Sequence, residues 1–172
     1  GHGLSQAPEL IIQRLYNIAS NWFVYSAPTG LLNYLKLNDT SALATDSSWI
    51  SAVTNSTFTE AWSGGSYSYI NYCWHSVAGY SKVGSYTSDN QTTKNISVGF
   101  RPSFLLLKRT NAAQNWAIVD DKRPTYELYP NTSGTEAFEL SIPTFNSDGF
   151  TLHNTRYNGG TDTYIYLAIK EN

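Results

Sequence analysis

The stretch PELIIQRLYNIASNW at residues 8–22 returns without a gap as PSFLLLKRTNAAQNW at residues 102–116. Leu10, Ile11 and Ile12 fall on Phe104, Leu105 and Leu106, Arg14 falls on Lys108, and Asn21-Trp22 falls on Asn115-Trp116. Further landmarks follow in the same order. Leu35 and Asn38 of YLKLN match Leu128 and Asn131 of ELYPN, and Phe58-Thr59 matches Phe150-Thr151. Gly64-Gly65 then matches Gly159-Gly160, and Tyr69-Ile70 matches Tyr164-Ile165. One accidental match is ordinary in an aromatic, Ser/Thr-rich chain. A collinear series points to internal duplication, which constrains architecture before any single residue is interpreted.

Each copy reads as roughly five strands. In the second copy they are expected at residues 103–110, 115–120, 126–129, 149–152 and 163–169, each bounded by Pro, Gly, Asn or Asp. Alternation is clearest in TYIYLAI at 163–169, whereas Leu105 to Leu107 is continuously apolar, as in a strand covered on both faces. A helix over residues 7–19 competes locally, because Leu10, Ile11, Arg14, Leu15 and Ile18 have near-helical spacing. The matching segment FLLLKRT argues against it. Residues 77–86 read as another strand pair and 87–94 as a polar loop. Two separate units of about 80 residues would have marginal cores. The expected fold is therefore a single all-β domain, a jelly-roll-like antiparallel β-sandwich of up to about twelve strands. It is built from two pseudo-symmetric repeats, approximately 1–77 and 96–172, joined by 78–95.

Composition agrees with that class. Aromatic residues make up 15% of the 172 and charged residues only 14%, a balance that favours pleated surfaces and turns over helices. A net charge of -2 supplies no basic field for phosphate backbones, so nucleic acid is not an expected partner. The longest apolar runs, at 10–12 and 104–107, fall far short of the roughly 20 residues of a bilayer span, so membrane insertion is not expected either. Cys73 is the sole cysteine, which excludes an internal disulfide and a cysteine-built metal cluster within one chain. Methionine is absent and the chain opens on Gly1, which reads as a segment of a longer or processed polypeptide.

The segments GHGLSQAPELII, NWFVY, YLKLN, GYSKVGSYT, VGFRPSFLLLKRT, NWAIVDDKR, SDGF and YIYLA together cover nearly the whole chain. Their combination resembles a family of duplicated β domains found in tail-fibre-like and other virion structural proteins of bacteriophages, especially marine ones. The most specific stretches are residues 79–87 and 98–116. The resemblance implies a shared fold, a place at the virion surface or outside the cell, and assembly with itself, a trimer being favoured. It also implies contacts with other virion proteins and with host-surface glycans. It transfers no catalytic residue. Two departures bear on loop-borne binding: the segment between Lys122-Arg123 and Leu128 is short, and Gln13 stands where the second copy has Leu107.

The chemistry-bearing residues read mostly as structural. Asp120-Asp121 before Lys122-Arg123 is the densest charged group, with Glu60, Glu127, Glu136 and Glu139 elsewhere. Adjacent aspartates on a strand point to opposite faces and do not make the facing carboxylate pair of a glycosidase, so a solvated turn with local ion pairs is expected. His2, His75 and His153 are isolated, and no metal-ligand spacing or Gly-x-Ser-x-Gly elbow occurs. No catalytic residue, cofactor or metal is expected, and the chain is read as not an enzyme. Five Asn-x-Ser/Thr sites, beginning at Asn38, Asn55, Asn90, Asn95 and Asn131, read as turn chemistry.

Aromatic residues sort by position. Trp22 and Trp116 recur in both copies and are expected in the core. Trp49, Trp62, Tyr126 and Tyr157 lie outside the duplicated strand centres and are the candidate binding face, for glycan or for an oligomer contact. The leading functional expectation is a virion structural and adhesion domain. A free carbohydrate-binding module or lectin domain of a larger secreted protein is the alternative, and a depolymerase ranks third for want of a carboxylate pair.

Overall fold

A computed structural model describes residues 1–60 and 67–171 of the chain. The first half carries β1 (Leu10–Leu15), β2 (Phe23–Ser26), β3 (Asn33–Lys36), β4 (Ala44–Thr45), β5 (Ile50–Val53), β6 (Phe58–Glu60) and β7 (Tyr69–Trp74). Next come β8 (Ser81–Thr87), β9 (Thr93–Ser97), β10 (Phe104–Arg109), β11 (Ala117–Asp120), β12 (Tyr126–Glu127) and β13 (Ala137–Phe138). The chain ends with β14 (Thr144–Phe145), β15 (Gly149–His153), the one-turn helix α1 (Asn154–Asn158) and β16 (Thr163–Ile169). The protein is all-β, and among the described residues every strand pairing is antiparallel. Residues 10–15 form a strand and not a helix, because their apolar run is clad from both sides.

Two larger sheets lie at the centre, ordered β4-β3-β2-β1-β7 and β11-β10-β16-β8. Their facing sides share one apolar cluster. Leu10, Ile12, Val24 and Leu35 come from the first sheet, and Val83, Leu106, Trp116, Ile165 and Leu167 from the second or its margin. Period-two alternation sends the intervening residues outward, where each sheet is covered again. Ile11 and Tyr25 meet Trp49 and Ile50 beneath the β5-β6 hairpin. Leu105, Leu107, Tyr164 and Tyr166 meet Phe150, Leu152 and Ile142 beneath the β14-β15-β9 sheet. The result is a sandwich-like stack with apolar layers on both sides of each central sheet. This double cladding is why Leu105, Leu106 and Leu107 are all buried.

The strand lengths differ from expectation in places. The segment at residues 77–86 does not make a hairpin. Its first part is a turn closed by the Val77 to Ser81 bridge, and the rest is β8, which lies along β16 from Ser81 opposite Ile169 to Thr87 opposite Thr163. Residues 78–95 thus carry a full strand of the second central sheet and the start of β9, which pairs with β15. Gly84 permits this approach, since a Cβ there would run into the Tyr166 ring.

Candidate functional site

The three loop aromatics among the described residues, Trp49, Tyr126 and Tyr157, do not form a face. Trp49 is 2% exposed, its ring 5.4 Å from that of Phe23 and 6.1 Å from that of Tyr34, beneath the hairpin over the first sheet. Tyr157 is also 2% exposed, on the opposite side of the molecule against the second sheet. Both expectations of an accessible ring are therefore corrected. A loop position in sequence did not prevent either ring from folding back to fill a covering layer. Tyr126 is half-buried and packs edge-on against Phe138 at 5.5 Å. Trp62 lies outside the described residues. Trp116 is a core residue, its indole N–H donating to the Lys36 carbonyl at 2.7 Å across the seam between the sheets.

The charged turn is a local network. Asp120 accepts from the Lys122 and Arg123 backbone N–H groups, each at 3.0 Å, and from the Arg123 guanidinium. The Arg123 hydrogen bond holds the Asp120 carboxyl below its usual range. Arg123 reaches on to Glu136 at 3.5 Å, and Lys122 to Glu171 at 3.2 Å. Among the described residues no three His, Cys, Asp or Glu side chains converge as a metal site, and no helix is long and apolar enough to cross a membrane.

A denser polar cluster surrounds Glu127, whose side chain is fully buried. It accepts hydrogen bonds from Arg156, from the Tyr129 hydroxyl at 2.5 Å and from the Tyr157 hydroxyl, while Arg156 also reaches Glu139 at 3.0 Å. Burial, and then the neighbouring Glu127, push Tyr129 up to about 12 and Tyr157 well above its ordinary value. A carboxylate saturated in this way clamps β12 to α1 and presents no free oxygen to a ligand. No local pattern marks it, because Arg156 and Tyr157 stand 27 to 30 residues from Glu127 and Tyr129.

Lys108 is a second buried ion. It is 1% exposed, and its Nζ donates to the Thr40 carbonyl at 2.9 Å and the Gln114 carbonyl at 2.5 Å, joining the two halves. Burial pushes its ammonium down to about 8 against the pull of Asp39.

Among the described residues, β7 carries exposed apolar side chains. Ile70 and Tyr72 are 41% and 44% exposed, and Tyr67 just before the strand is 43% exposed. Tyr72 stands between Trp22 and Trp74, each ring centre 6.3 Å away with near-parallel planes, and the Arg14 guanidinium lies 5.0 Å from the Trp22 ring. Trp22 and Trp74 pack onto the shared apolar cluster, so Tyr72 and Ile70 continue that cluster into the open. The signal was present in the sequence as YSYINYCW at 67–74, an aromatic run without charge.

Comparison with known proteins adds a family and no function. No curated protein and no solved structure matches the chain. The model of one domain family, described as a domain of unknown function, matches from the first residue to the last, and the chain, residues 1–172, belongs to that family, DUF7483.

Proposed function

We propose that this chain is a non-catalytic structural and adhesion module that works through surface contacts. The reading draws on the resemblance noted above, which implies a virion fibre, spike or surface decoration that assembles with copies of itself and with other virion proteins. The observation that carries this reading is the β7 face, where Ile70 and Tyr72 stand exposed beside Trp22 and Trp74 at the margin of the shared cluster. The internal engagement of Glu127, Asp120 and Asp89 supports the non-catalytic part, since none is held ready to act on a substrate.

Duplication, the finer reading of the fold, has support from matched registers. Leu10 faces Ser26 as Phe104 faces Asp120, and Ile12 lies between Val24 and Tyr72 as Leu106 lies between Ile118 and Leu167. The same side-chain latch occurs in both halves. Asn38 accepts from the Trp22 N–H at 2.8 Å and donates to Asn21 at 3.0 Å; Asn131 accepts from the Trp116 N–H at 2.9 Å and donates to Asn115 at 2.9 Å. A jelly-roll-like swirl has less in its favour, because β1 to β4 follow one another as a meander.

A lectin-like module is the second reading, favoured by the row of Trp22, Tyr72 and Trp74, whose rings suit the apolar faces of sugars. Incubation with bacterial surface polysaccharides separates these from an enzyme. The proposal predicts no new reducing ends and predicts that Tyr72→Ala weakens adsorption to cells or particles. Release of sugar product, or adsorption indifferent to Tyr72→Ala, contradicts it.

A further inference from the structure

We infer that the outer edge of β7 is a strand-addition site for a second copy of this chain, giving an antiparallel β7 to β7 pair about a two-fold axis. The inference rests on reading the chain as an assembling surface module.

Backbone geometry comes first. β7 pairs only with β1, and among the described residues no strand lies along its other side. The Tyr16 N–H donates to the Ser68 carbonyl, so residues 70, 72 and 74 turn their polar groups toward β1 by the alternation of antiparallel ladders. Tyr69, Asn71 and Cys73 turn theirs outward. A row of backbone donors and acceptors with this repeat matches another strand, and a sugar cannot reproduce it.

The other edges of the described sheets are blunted. β4, β12, β13 and β14 are two residues long. β8, β9, β6 and β11 carry Lys82, Lys94, Glu60 and Asp120, and β5 is interrupted by a register shift. Short length, charge and irregularity are the usual protections of exposed edges. β7 has none of them, being six residues long without Pro, Gly or charge.

The molecule holds its own precedent. β16 meets β10 in the register in which β7 meets β1, and the far side of β16 carries β8 over its full length. There the matched positions Ile165 and Leu167 are buried, whereas Ile70 and Tyr72 are not. A two-fold β7 pair places like against like with no charge to repel. It extends the shared apolar face across the axis through Tyr72, Ile70 and their copies, the self-complementary contact that closed dimers use.

Light scattering and amide exchange on the 172-residue chain test this. The expected result is a dimer whose Tyr69, Asn71 and Cys73 N–H groups exchange at least about tenfold more slowly than in dilute monomer. Tyr72→Lys and Ile70→Lys should each weaken dimerisation at least about tenfold with the fold retained by circular dichroism, while Leu140→Lys, at an exposed site in another region, should not. A monomer at all accessible concentrations overturns the inference, as does an oligomer of any size in which those three N–H groups stay unprotected. A monomer that still adsorbs to cells through Tyr72 loses this inference and keeps the adhesion reading. A β7 dimer that releases sugar from polysaccharide does the reverse.

Discussion

Lys108 shows how a single side chain records both halves of the molecule. It occupies the position matching Arg14, but the Arg14 guanidinium lies over the half-buried Trp22 ring, whereas Lys108 is enclosed and bonded to carbonyls from both halves. Its folded value of about 8 lies below the 10.5 of an ordinary lysine, so between those values the unfolded chain holds more protons. Stability from this group therefore rises as pH climbs from about 8 toward 10. Buried Tyr86 and Tyr157, whose values are raised, act in the opposite sense above their ordinary value of 10. Denaturant midpoints at several pH values should climb through the window from 8 to 10 and then fall. Lys108→Met should flatten the climb, and an unchanged slope in that variant would remove Lys108 as its source.

At this scale the sequence was informative in part where residues recur and poor where they do not. Trp116 was legible as core, whereas Trp22, aligned with it and expected in the core too, is only half-buried at the margin of the shared cluster. Trp49 and Tyr157 were misread because a loop assignment says nothing about which way the loop folds: the Trp49 N–H closes a turn on the Asp46 carbonyl that delivers its ring inward. The Asn-x-Ser/Thr sites read correctly as turn chemistry at Asn38 and Asn131, whose side chains accept from the Trp22 and Trp116 N–H groups, but not at Asn95, which lies within β9 and accepts from Thr151 across the strand pair.

Among the elements, β10 and β16 were nearly complete in the sequence, because a fully clad strand needs an unbroken apolar run or a strict alternation. β8 and β9 were not, since SKVGSYT and TKNIS are polar and their pairing partners lie more than 50 residues away. The two asparagine latches were half legible: alignment paired the residues but gave no hint of their bonds. Both tie the start of a central-sheet strand, β2 and β11, to a neighbouring loop, and the second is the more enclosed. Loss of a buried acceptor costs about 1–3 kcal/mol, and an exposed one less, because water replaces it. Asn131→Ala should therefore lower unfolding free energy by about 2 kcal/mol and Asn38→Ala by less than about 1 kcal/mol. Equal losses in a denaturant titration would show that the two latches are not distinguished by burial.

For the molecule as a whole, the shared cluster decides everything else. Leu10, Ile12, Val24 and Leu35 pack with Leu106, Trp116, Ile165, Leu167 and Val83 from the other sheet and its margin, and Trp22, Leu37, Leu43 and Trp74 border them, so the two halves share this cluster. β7 lies at the edge of the first sheet, with Trp74 packed on that cluster and Ile70 and Tyr72 exposed. Scanning calorimetry of the Tyr72→Lys chain, in which dimerisation is suppressed, tests this directly. Halves closed over one interior should melt in one transition whose van't Hoff and calorimetric enthalpies agree. Two resolved transitions, or a calorimetric enthalpy well above the van't Hoff value, would mean that the halves hold separate cores and would contradict the account.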